Sequence, residues 1–118
     1  MTRNIIRATF YAYTHKLKTG KNFLNYVYMF KGIFINKEYD INVDLNNKVI
    51  FDIGANMGLF SLWINDNFKN TEIHCFEPVP ELFNILEHNI KVNAKNNNQL
   101  LAKKRIIRNS NKTFFNQN

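Results

Sequence analysis

Residues 49–58 read Val49-Ile50-Phe51-Asp52-Ile53-Gly54-Ala55-Asn56-Met57-Gly58, an apolar run that leads into two glycines. A near-continuous apolar run of this length is typical of a parallel strand that is covered on both faces. Gly54 would let the chain turn tightly, because it carries no Cβ atom. Gly58 stands where a helix would begin, and a small residue there would let a ligand approach the backbone N–H groups. The segment therefore predicts a strand that ends in a ligand-binding turn.

The residues after this turn alternate between helical and strand patterns. Apolar side chains recur at intervals of three and four in two segments, which predicts two amphipathic helices. The two sets are Leu59, Phe60, Trp63, Ile64 and Phe68, and then Val79, Leu82, Phe83, Leu86 and Ile90. A short strand at Ile73, Cys75 and Phe76 separates them. Strand, helix, strand, helix is the βαβα alternation of a parallel sheet with right-handed connections. The predicted fold class is α/β, with a partial Rossmann-like core.

The flanking segments predict an N-terminal extension over residues 1–47 and a tail over residues 95–118, around a core at 48–94. Helical spacing of apolar residues up to Phe30 predicts two short helices, separated near Gly20. Alternation of apolar and polar residues from Ile33 to Leu45 predicts a hairpin of half-buried strands. The tail is basic and rich in Asn and Lys, so we expect it to be disordered. A third strand at residues 99–102 is an alternative to disorder in that part of the tail.

Charge and cysteine content exclude several classes of function. The net charge is +7, but ten basic and nine acidic side chains nearly balance within residues 1–94, so the excess belongs to the tail. We therefore expect no nucleic-acid partner. Cys75 is the single cysteine, which excludes an intramolecular disulfide, and the three histidines lack metal-ligand spacing. Because no apolar run reaches the roughly 20 residues of a membrane span, we expect a cytoplasmic protein without a membrane partner.

Two carboxylates stand at the ends of the two predicted core strands. Asp52 and Glu77 would meet at the carboxyl edge of the sheet, where ligands of open α/β sheets bind. A carboxylate at Asp52 suits a ligand that carries an ammonium and a sulfonium group. Glu77 can accept hydrogen bonds from both hydroxyls of an adenosine ribose. The dinucleotide fingerprint is absent, because Asn56 replaces its second glycine. This favours S-adenosylmethionine over NAD as the cofactor.

Three sequence blocks resemble the opening motifs of the FkbM family of methyltransferases, in the same order and at the same spacing. They are Val49-Ile50-Phe51-Asp52-Ile53-Gly54-Ala55-Asn56-Met57-Gly58-Leu59-Phe60-Ser61-Leu62, Phe76-Glu77-Pro78-Val79-Pro80-Glu81 and His88-Asn89-Ile90-Lys91-Val92-Asn93. The resemblance covers about residues 48–94. It implies a Rossmann-like methyltransferase fold and S-adenosylmethionine-dependent methylation of an oxygen on a small-molecule or sugar acceptor. The cofactor-binding residues that it implies are Asp52, Gly54, Ala55, Asn56, Gly58 and Glu77. No catalytic base and no metal site can be assigned.

Two other hypotheses remain open at this point. The later strands of the family have no counterpart after Ala94, so the chain could be a non-catalytic remnant or a partner-dependent fragment that retains only the cofactor-binding half. In the family the first strand is central. The strand at residues 49–53 would then present an unpaired apolar edge, which predicts self-association. A basic nucleic-acid binder is the weakest hypothesis, because no recognised motif supports it.

Overall fold

The chain begins with helices and then alternates strands with helices. The computed structural model describes residues 2–40, 42–106 and 115–116 of the chain. The helices are α1 (Thr2–Thr14), α2 (Phe23–Phe30), α3 (Leu59–Asn67) and α4 (Pro80–Lys91), with a 3₁₀ turn at Gly20–Asn22 and a π-helical turn at Lys31–Ile35. The strands are β1 (Val49–Ile53), β2 (Glu72–Phe76), β3 (Gln99–Lys103), β4 (Arg105–Ile106) and β5 (Phe115–Asn116).

Strands β1, β2 and β3 form a parallel sheet in that order, and β4 pairs with β5 in a separate antiparallel ladder. In the parallel sheet, Asp52 lies opposite Cys75, which lies opposite Ala102. Helices α3 and α4 provide the two crossovers between the parallel strands. The predicted α/β class is confirmed, and the arrangement is compatible with a partial Rossmann-like fold.

The expectation of a disordered tail from Lys95 is wrong for β3. Its residues Leu100 and Ala102 pack against the hydrophobic core, so this strand has apolar groups to bury. Lys103 is also buried, and its Nζ atom lies 5.9 Å from the centre of the Phe76 ring. Long lysine stems can cover apolar surface in this way, which the basic composition of the tail concealed. Residues 107–114 and 117–118 of the predicted tail lie outside the described residues.

The two predicted N-terminal helices are confirmed, but the predicted hairpin is wrong. Helix α2 runs directly into the π-helical turn, in which the Asn36 N–H group donates to the Lys31 carbonyl oxygen at 2.8 Å. Ile33 is buried on the helical core, and the Phe34 ring stacks on Phe30 at 4.8 Å. Contact with the helices therefore decides the backbone here, although the apolar residues alternate as in a strand. No strand occurs at residues 36–40 or 42–48.

The N-terminal extension shares its core with the turn after β1. One cluster of buried side chains joins the N-terminal helices to that turn: Ala8, Tyr26, Phe30, Ile33, Met57 and Leu59. A second cluster fills the space between the sheet and helices α3 and α4: Ala55, Ile64, Ile73, Cys75, Leu86 and Ile90. Helices α1 and α2 and the π-helical turn are thus packed against the turn after β1. They help to hold its position.

Helix α4 begins immediately after the loop that carries Glu77. Pro80 occupies the first turn of the helix, where its fixed φ is favourable and its missing N–H group is no loss. Glu81 in the first turn and Lys91 in the last have the charges that complement the helix dipole. These features fix where the helix starts and so the position of Glu77, three residues before it.

Strand β1 lies at an edge of the parallel sheet, with β2 as its single neighbour among the described residues. The side chains of Val49 and Ile53 are 63% and 62% exposed. This differs from a parallel strand covered on both faces, which its apolar sequence predicted. Within the described part of the chain, no helix is both long and apolar enough to cross a membrane.

Candidate functional site at the carboxyl end of β1 and β2

The turn after β1 is tied to the end of β2. The backbone N–H groups of Gly54 and Ala55 both donate to the Phe76 carbonyl oxygen, at 2.9 and 2.8 Å. Gly54 has φ of +75° and Asn56 has φ of +56°, in the left-handed region that glycine and asparagine tolerate best. A Cβ atom at Gly54 would meet no heavy atom within 4 Å. Gly54 therefore makes the predicted tight turn and faces open space.

From the sequence, we expected the missing side chain of Gly58 to let a ligand approach the backbone N–H groups. The structure gives a different reason. Its φ is +95°, and a Cβ atom there would lie 2.9 Å from Leu86 Cδ1 and 3.4 Å from Ile90 Cγ2. The missing side chain thus lets the start of α3 pack against α4. The Gly58 N–H group donates to the Ala55 carbonyl oxygen at 2.9 Å. Gly58 therefore stabilises the turn through its contact with α4, because α4 fills the space that a side chain at Gly58 would occupy.

Asp52 is buried at the end of β1, with 8% of its surface exposed. The Ser61 hydroxyl on α3 donates to Asp52 Oδ2 at 2.7 Å and fixes the carboxylate. Burial raises the pKa of Asp52; the Ser61 hydrogen bond opposes this rise, and the neighbouring charge of Glu77 adds to it. Ser61 Oγ also lies 3.1 Å from Cys75 Sγ. Burial raises the pKa of the Cys75 thiol to about 12, so Cys75 is a neutral core residue.

Glu77 joins the loops that follow the two strands. Its Oε1 atom accepts a hydrogen bond from the Asn56 N–H group at 2.9 Å, and its Oε2 atom accepts one from the Val79 N–H group at 3.0 Å. Only 5% of the residue is exposed. An ionised carboxylate has about four acceptor positions, so both oxygens can still accept a further hydrogen bond. Glu77 therefore has a structural role that the sequence did not reveal, and it retains capacity for ligand hydroxyls.

A cavity of about 470 Å³ opens at the carboxyl end of β1. Its lining includes Asp52, Gly54 and Ala55 from the end of β1 and, from the N-terminal segment, Glu38 and Tyr39. The volume lies within the range of small-molecule sites. Among the described residues the lining contains two carboxylates and no Lys, Arg or His. The cavity therefore favours a ligand with positive charge.

The predicted site residues fall into three places. Asp52, Gly54 and Ala55 line the cavity. Asn56 and Glu77 are joined by their hydrogen bond beside it, at the ends of adjacent parallel strands. Gly58 lies behind the turn. The Asn56 Oδ1 atom is buried and has no hydrogen-bond partner among the residues that the structure describes. Because an unsatisfied buried acceptor costs about 1–3 kcal/mol, a ligand that donates a hydrogen bond at this point would fit the turn.

Asn89 on α4 is a further element of the site, and it was not predicted from the sequence. Asn89 is 1% exposed, and its Nδ2 atom donates to the carbonyl oxygens of Met57 and Lys18, each at 3.0 Å. Its Oδ1 atom accepts from the Lys18 N–H group at 2.7 Å. Asn93 Nδ2 donates to the His15 carbonyl oxygen at 2.9 Å. An asparagine on the buried face of α4, followed four residues later by a second one just after the helix end, was the available signal for this anchor.

The acidic and imidazole side chains of the described residues show no metal-binding cluster. Within that part of the chain no three His, Cys, Asp or Glu residues come together in a way that could hold a metal ion. His74 Nε2 lies 2.7 Å from Glu72 Oε1. Glu72 is the first residue of β2, so it lies at the opposite end of this strand from Glu77. The groups at the site that can bind a ligand are the carboxylates of Asp52 and Glu77, the backbone of the turn and the Asn56 amide.

The chain is similar to proteins named as methyltransferases. It is 38% identical over 66 residues to methyltransferase sdnD of Sordaria araneosa, a match that covers 56% of this chain and 26% of that protein. It is 32% identical over 65 residues to methyltransferase 1 of Beauveria bassiana, covering 55% and 26%. A 73-residue match to the AMB antimetabolite synthetase AmbE of Pseudomonas aeruginosa has 34% identity and covers 60% of this chain and 3% of that protein.

These matches span about a quarter of the length of the two methyltransferases. No family model matches the chain. No solved structure matches it either. The two relatives named as methyltransferases are matched over just over half of this chain.

Proposed function

We propose that the chain binds S-adenosylmethionine at the carboxyl edge of β1 and β2 and belongs to a methyltransferase of the FkbM type. The observation that carries the proposal is the pair of buried carboxylates, Asp52 and Glu77, on adjacent parallel strands around a glycine turn. Parallel α/β sheets bind ligands at this edge. A cavity whose described lining holds two carboxylates and no basic residue suits a cofactor with sulfonium and ammonium charges. It would suit a pyrophosphate poorly.

Each predicted residue receives a role from its position. Glu77 accepts hydrogen bonds from ribose hydroxyls, in addition to the two backbone N–H groups that it already binds. Gly54 and Ala55 let the cofactor lie against the backbone, because no side chain occupies the space in front of Gly54. Asn56 offers its unsatisfied Oδ1 atom to a cofactor donor. Asp52 attracts the positively charged end from within the cavity.

The reaction that we propose is methyl transfer to an oxygen of a small-molecule or sugar acceptor. When bound, S-adenosylmethionine supplies a methyl group already activated by the sulfonium charge. The protein mainly has to align the acceptor with this group and to remove an acceptor proton where necessary. The oxygen acceptor rests on the resemblance to the FkbM family. We assign no catalytic base.

Calorimetric titration with S-adenosylmethionine tests the binding proposal. The unmodified chain should bind the cofactor, and Glu77→Gln should weaken binding, because charge-assisted hydrogen bonds contribute about 1.5–3 kcal/mol each. Glu72→Gln is the matched control, since it makes the same change at the opposite end of β2. Circular dichroism of both variants would verify that each remains folded. No binding to the unmodified chain, or equal losses in the two variants, would contradict the proposal.

A second candidate function is cofactor binding without turnover, by a remnant or by a fragment that needs a partner. It is favoured by the edge position of β1, where Val49 and Ile53 are more than half exposed. An acceptor site that needs structure beyond this edge would be incomplete in the described residues. A methyl-transfer assay with labelled cofactor and a panel of hydroxylated acceptors distinguishes the two candidates. Repeated turnover by the isolated chain supports the enzyme, and binding without turnover supports the second candidate.

A further inference from the structure

The cavity beside the glycine turn has a wall that belongs to none of the three sequence blocks. Glu38 lies on the segment after the π-helical turn, and its backbone N–H group donates to the Gly32 carbonyl oxygen at 3.1 Å. Its carboxylate rests against Gly32, where a Cβ atom would come within 2.9 Å of Oε2 and 3.1 Å of Oε1. Gly32 thus leaves room for the carboxylate at the cavity wall. Glu38 and Asp52 are the two carboxylates that line the cavity.

The Glu38 carboxylate is available to a ligand. Within the described residues it forms no ion pair, and none of their side chains or N–H groups donates a hydrogen bond to it. Its cavity neighbours include Tyr28 and Tyr39, and the Tyr39 ring packs at 4.6 Å on Phe60, which also lines the cavity. Aromatic rings add to the attraction of a cation when they face it. The wall therefore combines aromatic surface with a carboxylate that is unpaired within the described part of the chain.

The position of Glu77 determines the orientation in which the proposed cofactor would lie. Glu77 and Asn56 lie beside the cavity and outside its lining. If the ribose hydroxyls are held at Glu77, the cofactor extends across Gly54 and Ala55, and its other end enters the cavity. That end carries the α-ammonium group. Asp52 and Glu38 are the carboxylates that line the cavity at that end.

We propose that this cavity receives the amino-acid end of S-adenosylmethionine and that Glu38, from the N-terminal segment, is a second carboxylate that recognises its α-ammonium group. The inference rests on the proposed function and deepens it, because it assigns cofactor selectivity to a residue outside the motif blocks. The N-terminal helices would then complete the cofactor site as well as its core. A ligand that lacks the amino acid would gain nothing from Glu38.

Two ligands separate this role from a structural one. Methylthioadenosine retains the adenosine and the sulfur but lacks the amino-acid group, so it should depend on Glu77 and not on Glu38. We expect Glu38→Gln to weaken S-adenosylmethionine binding by about tenfold or more in calorimetric titration, as the loss of a charge-assisted hydrogen bond implies. Its affinity for methylthioadenosine should match that of the unmodified chain. Glu87→Gln, an exposed position on α4 outside the cavity, controls for the change in net charge.

The outcomes are distinguishable. Unchanged S-adenosylmethionine affinity in Glu38→Gln would overturn the inference and leave the proposed function standing. Equal losses for both ligands would also overturn it, because they would show that Glu38 acts on the fold and does not contact the ammonium group. If the unmodified chain bound neither ligand, the proposed function itself would fail and the inference with it.

Discussion

The two glycines of the turn are constrained by different physical causes. Both have positive φ, so a Cβ atom at either position costs about 1–2 kcal/mol in backbone strain. Only at Gly58 would that atom also collide with α4, 2.9 Å from Leu86 Cδ1. We expect Gly58→Ala to lower the free energy of unfolding by more than Gly54→Ala, with an added steric cost of about 1–3 kcal/mol. Urea unfolding of the two variants measures the difference. Equal losses would refute the packing role of Gly58.

The burial of Asp52 predicts a pH dependence of stability. Because burial raises its pKa above 3.8 in the folded state, the folded state binds the proton more tightly than the unfolded chain does. Protonation therefore stabilises the fold, and this stabilisation is lost as the pH rises from about 3.8 through the raised pKa. Asp52→Asn does not titrate and can still accept the Ser61 hydrogen bond. Its free energy of unfolding should increasingly exceed that of the unmodified chain over this window.

Urea unfolding at a series of pH values measures this difference for Asp52→Asn. Asp40→Asn provides the control, since its carboxylate is exposed. The gain in stability should be accompanied by weaker binding of S-adenosylmethionine, because the neutral amide does not attract its charge. A difference between variant and unmodified chain that stays constant with pH would contradict a raised pKa at Asp52.

The secondary structure was predictable where periodicity and packing agree. The helical spacing at Leu59, Trp63 and Ile64 and the apolar run of β1 each correspond to an observed element. The alternation from Ile33 onward misled, because Ile33 and Phe34 pack against the N-terminal helices in a π-helical turn. Strand β3 was obscured by its basic surroundings. Local pattern therefore predicts an element well only when its tertiary contacts demand the same backbone.

Asn89 connects α4 to the turn after β1 and to the loop after α1. Asn89→Ala would remove its three hydrogen bonds and leave the buried Met57 carbonyl and two part-buried backbone groups of Lys18 without these partners. We expect a loss of about 3 kcal/mol in the free energy of unfolding, because each unsatisfied group costs about 1–3 kcal/mol. Asn67→Ala, at an exposed asparagine with one hydrogen bond to the Trp63 carbonyl oxygen, should cost less than 1 kcal/mol by the same reasoning.

Thermal and urea unfolding of the two asparagine variants provide the measurement. A similar stability of Asn89→Ala and Asn67→Ala would show that the buried amide is not an anchor of the turn. A fully folded Asn89→Ala variant that binds S-adenosylmethionine as the unmodified chain does would separate the anchor from the cofactor site.

For the whole molecule, the exposed edge of the sheet remains a predicted site of self-association. Val49 is 63% exposed on β1, which has β2 as its single neighbour among the described residues. Edge strands of this kind pair readily with another chain. We expect the molar mass measured by size exclusion with light scattering to rise with concentration, and Val49→Lys to suppress the rise. Leu24→Lys, at an exposed apolar position on α2, should leave the rise in molar mass unchanged. A monomer at every concentration would refute this prediction.

The candidate site was only partly predictable from the sequence. Asp52 and Glu77 could be placed, because residues that end neighbouring parallel strands meet at one edge of the sheet. Glu38 could not, since it joins the cavity through the fold of the N-terminal segment against β1. The two backbone hydrogen bonds of Glu77 were equally hidden, because they depend on how the turns after β1 and β2 approach each other. Contacts between distant segments are what the pattern of residues alone did not contain.

The most direct test of cofactor binding is a titration with S-adenosylmethionine followed by amide nitrogen–proton correlation spectra. We predict that the amide signals of Gly54, Ala55 and Asn56 shift in a saturable manner, together with that of Glu38. The signal of Tyr13, an exposed residue on α1, should remain in place. An absence of saturable shifts, or shifts confined to α1, would contradict the assignment of this sheet edge as an S-adenosylmethionine site.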